Sequence, residues 1–232
     1  MVDDKNFIQD DPKMKNSDGN GIVVLANGRF PSASHCLNML DSASQVICCD
    51  EAADRLLEYG RDPDVIIGDL DSVSQETKEK FRDIIIIRDD QETNDLTKAV
   101  NYCMEQKHDS VTILGATGIR EDHTLGNISL LLEYNKKIKA TIVSDYGEFS
   151  ILKSGEAVSS FPGEQISFFS VDNHVSVTSE GLKYKLVNMQ LHNWWRASLN
   201  EVDGDTFTLY YDSEWPLILY RLIAGRSSLI SK

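Results

Sequence analysis

"DVIIGDLDS" (residues 64–72) reads as a strand that ends at an acidic turn. Val65–Gly68 is continuously apolar, which suits a strand covered on both faces better than one with a wet side. Asp69 and Asp71 follow at once, two residues apart. Ligands of an open parallel sheet collect in the crevice at the carboxyl ends of its strands. Like charges placed there repel one another and ask for a cation.

Runs of the same character recur at 21–28 ("GIVVLANG"), 44–49 ("SQVICC"), 83–88 ("DIIIIR"), 110–115 ("SVTILG") and 139–145 ("KATIVSD"). Between them, "EAADRLLEYG" (51–60), "SQETKEKFRD" (74–83), "NDLTKAVNYCMEQKH" (94–108) and "EDHTLGNISLLLEYNKK" (121–137) carry helical patterning. In the third of these, Leu96, Ala99, Val100 and Cys103 fall on one face. Strand alternating with helix predicts βαβ units and a parallel sheet. After residue 147 the pattern changes. "EFSILKSGEAVSSF" (148–161), "GEQISFFSVD" (163–172), "HVSVTSEGLKYKL" (174–186) and "DTFTLYYDSE" (205–214) alternate apolar and polar residues between Gly, Asn and Asp. Such spacing predicts a helix-free antiparallel sandwich or roll. The expected fold class is α/β: an N-terminal parallel-sheet α/β nucleotide-binding domain at 21–147, followed by a C-terminal all-β sandwich domain at 148–232. Residues 1–20 are expected to form a tail.

The formal net charge is −14, from 23 basic and 37 acidic side chains. That balance argues against nucleic acid or an anionic membrane surface as partner, since both are bound through Lys/Arg patches. It leaves room for a small anionic ligand whose charge a metal ion cancels. The first 20 residues lack the basic start and apolar centre of a secretory signal, and no apolar stretch approaches bilayer-spanning length. Cys36, Cys48, Cys49 and Cys103 show no metal-type spacing and read as reduced core residues of a cytoplasmic protein.

The polar clusters fall at strand ends: Asn27 after the first run, Asp50 after the second, Asp69 and Asp71 after the third. "RDDQETNDLTK" (88–98) and "GATGIREDH" (115–123) follow the next two. One such loop is an ordinary helix-capping turn; five on one edge suit metal-assisted phosphoryl transfer. Mg²⁺ takes hard oxygen ligands, and Asp69, Asp71 and Asp95 are the candidates. Asp95 equally suits the N-terminus of a helix. Thr93 and Lys98 add a hydroxyl and a cation within a turn of it. The glycine-containing loop at 115–120 offers backbone N–H groups to phosphate. Arg120 is either a phosphate clamp or a surface arginine, and His123 either a site residue or a capping or buried one. The adjacent Trp194 and Trp195 would face opposite ways in a strand, so one of the two is expected to pack.

"GDLDS" (68–72), "DQETNDLTKA" (90–99) and "GATGIREDHTLGN" (115–127), with "LANGRFP" (25–31), "GLKYKL" (181–186) and "SLNE" (198–201), resemble thiamine pyrophosphokinase. The resemblance implies transfer of the pyrophosphoryl group of ATP to the hydroxyl of thiamine, giving thiamine diphosphate and AMP. It also implies a homodimer whose thiamine site is shared between subunits. It places Mg²⁺ on Asp69, Asp71 and Asp95. The nucleotide and pyrophosphate fall near Asn27, Asp50, Gln91, Thr93, Lys98, Arg120, Asp122 and His123, and thiamine near Trp195, Ser198 and Asn200. Asp71, Asp95 and Arg120 are the catalytic candidates, the first two as alternative acceptors of the hydroxyl proton. The chain departs from the family at Glu51, Ala52 and Ile119, where glycine is common. The alternatives are a pterin-alcohol pyrophosphokinase, a metal-dependent phosphohydrolase and a non-catalytic thiamine- or nucleotide-binding regulator.

Overall fold

The computed structural model describes residues 21–90 and 92–223; the tail at 1–20 and Gln91 lie outside the described residues. The six apolar runs become β1 (Ile22–Leu25), β2 (Gln45–Cys49), β3 (Val65–Gly68), β4 (Ile85–Ile87), β5 (Ser110–Leu114) and β6 (Lys139–Val143). All pair in parallel, in the order β6-β5-β1-β2-β3-β4. The crossovers carry α1 (Ser34–Ser42), α2 (Ala52–Tyr59), α3 (Gln75–Lys80), α4 (Asp95–Glu105) and α5 (Glu121–Tyr134).

Both faces of this sheet are sealed over β1, β2 and β3, which is why those strands read as unbroken apolar runs, whereas Ile87 of the edge strand β4 is exposed. On one face Val24, Ile47, Ile67 and Ile113 meet Leu96, Val100 and Cys103 of α4 and Leu131 of α5. On the other, Val23, Leu25 and Ile66 meet Cys36 and Leu40 of α1 and Leu56 of α2. Cys48 and Cys49 point to opposite faces, and all four cysteines are buried and unpaired. α1 was not anticipated from the sequence.

The chain then reverses, and β7 (Gly147–Leu152) runs antiparallel beside β6. β14 (Leu217–Leu222), β9 (Gln165–Phe169) and β12 (Asn200–Glu201) continue outward from it, so one ten-stranded sheet runs through both halves of the chain. A second, antiparallel sheet of β11 (Met189–Gln190), β10 (Ser176–Glu180), β13 (Thr206–Tyr211) and β8 (Ala157–Ser159) packs on this extension. Leu152, Ile166, Phe168, Leu217 and Leu219 meet Val177, Phe207 and Leu209 between the two sheets. The all-β sandwich expected after residue 147 is thus present. Among the described residues, no helix is long and apolar enough to cross a membrane.

From β1 the chain steps to β2, β3 and β4, then returns to β5 on the other flank of β1. The reversal opens a crevice at the carboxyl ends of β1 and β5, where open α/β sheets place their ligands.

Candidate functional site

Three carboxylates converge at the ends of β2 and β3. Asp50 leaves β2 with φ +48, and its amide bonds to the Ile67 carbonyl at 2.9 Å, which holds it against β3. Leu70 turns the next loop with φ +66, and Asp69 accepts from the Asp71 amide at 3.2 Å. Non-glycine residues rarely adopt this left-handed region, and they concentrate where a site requires them. The outcome is that carboxylate oxygens of Asp50, Asp69 and Asp71 lie within 4.8 Å of one another.

Asp50 is only 4% exposed, and its Oδ1 has no hydrogen-bond partner. Burial, followed by the negative charges of Asp95, Asp69 and Asp71, pushes its carboxyl up to about 6. A buried, unpartnered oxygen among like charges is costly until a cation arrives. Three hard oxygen donors at this spacing fit Mg²⁺. The sequence reading had Asp95 in this group and Asp50 beside the nucleotide. Here Asp50 is the third member, and Asp95 sits next to the group, ion-paired with Lys98 at 2.9 Å. Burial of Lys98 disfavours its charge, but the hydrogen bond and charge of Asp95 more than offset this and raise its pKa.

A cleft of about 320 Å³ opens at the β1–β5 crevice. The β1 loop and α2 bring Asn27, Glu51 and Arg55 to it; the start of α4 brings Asp95; the β5–α5 loop brings Ile119, Arg120 and His123. Arg120 is exposed and grips Asp122 through Nε at 3.1 Å and a terminal nitrogen at 2.6 Å, which holds the Asp122 carboxyl down at about 2. His123 is exposed, so the buried-histidine reading does not apply. Thr93 spends its hydroxyl on Asp90 at 2.5 Å and does not line the cleft. Gln91 lies outside the described residues. A larger depression of about 670 Å³ between α2 and α3 is walled by Glu51, Asp54, Glu58, Asp62 and Glu76, with Lys80 its single cation. That charge repels a polyphosphate.

The sequence reading passed over Glu51, Arg55, Asn94 and Asn127 as cleft residues. Asn94 caps α4 by accepting from the Thr97 amide at 2.9 Å, and its side-chain nitrogen reaches Asn127 at 3.3 Å. Asn127 donates to the Ala116 carbonyl at 2.9 Å, tying the two loops together. The cap was legible as an Asn before an apolar-periodic helix; the long-range bonds carried no local signal.

Of the thiamine candidates, Trp195 is 69% exposed. Trp194 bonds the Ser170 carbonyl through Nε1 at 3.1 Å and leans on Phe169 with ring centroids 5.8 Å apart. Both lie in a turn, not a strand. Asn200 is buried, accepting from the Tyr184 and Glu201 amides and donating to the Tyr184 carbonyl, which fixes "GLKYKL" beside "SLNE". Ser198 bonds the Trp195 carbonyl at 2.7 Å. None of the three lines the cleft. β12 lies seven strand spacings from β2 in the sheet order, on the order of 30 Å.

A family model described as thiamin pyrophosphokinase, catalytic domain, matches residues 36–143, and one described as thiamin pyrophosphokinase, substrate-binding domain, matches residues 147–219. Thiamine pyrophosphokinase of Bacillus subtilis (strain 168) is 30% identical over 179 residues, covering 73% of this chain and 83% of the relative. Thiamine pyrophosphokinase 1 of Oryza sativa subsp. japonica is 27% identical, covering 85% and 86%. Among solved structures, thiamin pyrophosphokinase from Candida albicans superposes with a TM-score of 0.73 at 20% identity, over 88% of this chain and 89% of that one. The Bacillus subtilis enzyme gives 0.70 at 23%, over 89% and 100%; likeness at these identities speaks for the fold alone. With both halves of the chain matched in order, and the acidic edge at the ends of β2 and β3, the protein belongs to the thiamin pyrophosphokinase family.

Proposed function

We propose that this chain transfers the pyrophosphoryl group of ATP to the hydroxyl of thiamine, with ATP in the β1–β5 cleft and Mg²⁺ held by Asp50, Asp69 and Asp71. The observation that carries the reading is the buried, unpartnered Asp50 oxygen facing two further carboxylates. Nothing in the site favours a pterin acceptor, a water nucleophile or a silent regulator.

Mg²⁺, when bound, would neutralise phosphate charge that repels an incoming oxygen. The protein's own groups do the rest. Lys98, kept charged by Asp95, and Arg120, on exchanging Asp122 for phosphate, hold the donor. The thiamine oxygen attacks the β-phosphorus, the bond between that phosphorus and the bridging α–β oxygen breaks, and AMP leaves. Asp95, beside the trio and not in it, takes the hydroxyl proton; Asp71 is the poorer base because a metal would draw on its lone pairs. Most of the acceleration is positioning and charge neutralisation.

The wide separation of Trp195 and Ser198 from the acidic trio supports a homodimer in which each thiamine site combines the trio of one chain with the Trp195 segment of another. Trp195 offers an aromatic face to the cationic thiazolium. Asn200 acts behind it, fixing Tyr184. The test is AMP formation from ATP, thiamine and Mg²⁺. Thiamine-dependent AMP release is expected; phosphate release without thiamine, or no turnover at all, overturns the reading.

A further inference from the structure

We infer that Glu51 reads the sugar of the nucleotide, its carboxylate accepting hydrogen bonds from the ribose hydroxyls, which makes it a specificity-determining residue of the cleft. The inference rests on the proposed reading that ATP is the donor.

The left-handed turn at Asp50 sends that side chain to the acidic trio and leaves Glu51 at the start of α2. Glu51 is not consumed there as a cap: its side chain makes no capping bond to the helix. It is held from outside instead. Asn27 donates to Oε2 at 3.1 Å, and Arg55 approaches the same oxygen at 3.5 Å while bonding the Gly28 carbonyl at 2.6 Å. Both contacts fall on Oε2. They orient a half-exposed carboxylate within the cleft, so little side-chain entropy is lost when a ligand arrives.

Charge then decides which part of the nucleotide Glu51 meets. A carboxylate repels phosphate, so the triphosphate is directed to Lys98, Arg120 and the metal-binding trio. The neutral sugar, with two adjacent hydroxyl donors, suits an anionic acceptor at the end of the second strand; carboxylates in that topological position bind ribose in other open α/β sheets. The same cleft presents Ile119, a β-branched residue at φ +67 that leaves 60% of its surface exposed. Its aliphatic side chain gives a flat base an apolar surface beyond the sugar.

The experiment compares kcat/KM for ATP, 2′-deoxyATP and 3′-deoxyATP, at saturating thiamine and Mg²⁺, in the wild type, Glu51→Gln and Glu51→Ala. The wild type is expected to prefer ATP over at least one deoxy analogue by about tenfold or more, as a hydrogen bond to a charged group supplies. Glu51→Ala should bring the ratio near one, with Glu51→Gln between. A purely structural role for Glu51 would lower all three values and leave the ratios intact. Equal use of the three nucleotides by the wild type, ratios unchanged in both variants, or a change confined to the KM for thiamine overturns the inference. Should the variants not fold, calorimetric binding of AMP against its 2′- and 3′-deoxy forms to the wild type decides: equal affinities overturn it. Absence of AMP formation by the wild type would sink the functional reading, and the calorimetric comparison, run on the wild type and Glu51→Gln, would still judge Glu51: the same ratio of affinities in both proteins overturns the inference.

Discussion

The amide of Gly28 donates to the carbonyl of Gly115 at 2.7 Å, so the loops leaving β1 and β5 are joined backbone to backbone. A methyl group at 28 would lie 2.3 Å from that oxygen and 2.7 Å from the Thr117 carbonyl oxygen. Neither oxygen can swing aside as a side chain would. Gly28→Ala should cost about 2 kcal/mol or more of stability. It should also lower kcat/KM by at least tenfold, read from urea unfolding and the AMP assay.

Asp71→Asn keeps the shape of the turn and removes one charge from the trio. Turnover should fall by about a hundredfold or more, with a melting temperature no lower than that of the wild type. A variant with near wild-type turnover removes Asp71 from the metal-binding group.

Asp50 ties the stability of the fold to pH. Its carboxyl sits near 6 in the fold against an ordinary 3.8, so between those values the native state holds a proton that the unfolded chain has released. Stability is therefore fully present below the window and is lost as pH rises through it. Asp50→Asn should be more stable than the metal-free wild type by on the order of 2 kcal/mol at pH 7, with the gap closing towards pH 4. MgCl₂ should raise the melting temperature of the wild type and leave the variant nearly unmoved. Equal responses of both proteins to MgCl₂ would count against Asp50 as a ligand.

If thiamine sites are shared between chains, two crippled variants should rescue one another. Asp71→Asn and Trp195→Ala, unfolded and refolded together in equal amounts, should recover about a quarter of wild-type sites, since half of the dimers are mixed and each mixed dimer has one intact site. Rescue no greater than the sum of the two homodimers would show that each chain builds its site alone.

Asp145 accepts from the Ser32 amide at 2.9 Å, the Ser32 hydroxyl at 2.5 Å and the Ala33 amide at 2.8 Å, capping α1 from the β6–β7 loop. Asp145→Ala should cost about 2 kcal/mol. It should speed hydrogen exchange in residues 34–42 first.

That capping acid explains why α1 is silent in the sequence. Its N-cap, Ala33, makes no side-chain bond, and the residue that does the capping lies more than a hundred positions downstream. The central strands were legible because burial on both faces leaves unbroken apolar runs. The first half of β14, Leu217–Leu219, has the same property but falls where alternation was the expected pattern. There Ile218 packs under the helices, while Leu217 and Leu219 fill the sandwich. The acidic edge was legible as a pattern of strand ends. That Asp50 joins Asp69 and Asp71 depends on a left-handed backbone at a non-glycine residue, which nothing local announces. The two tryptophans were separated by reasoning about a strand. They lie in a turn, and what separates them is the hydrogen bond from Trp194 to Ser170.

Ile142 pairs with Phe149 and Val143 with Glu148, which makes one sheet of both halves, and Phe149 and Ile151 lie against the same oily layer as α5. Cutting the chain after Tyr146 would bare a naked strand margin together with that layer. Neither fragment should survive as a miniature protein, and the shorter products should clump. Heating the whole chain should give one calorimetric peak, because a single sheet runs through both halves.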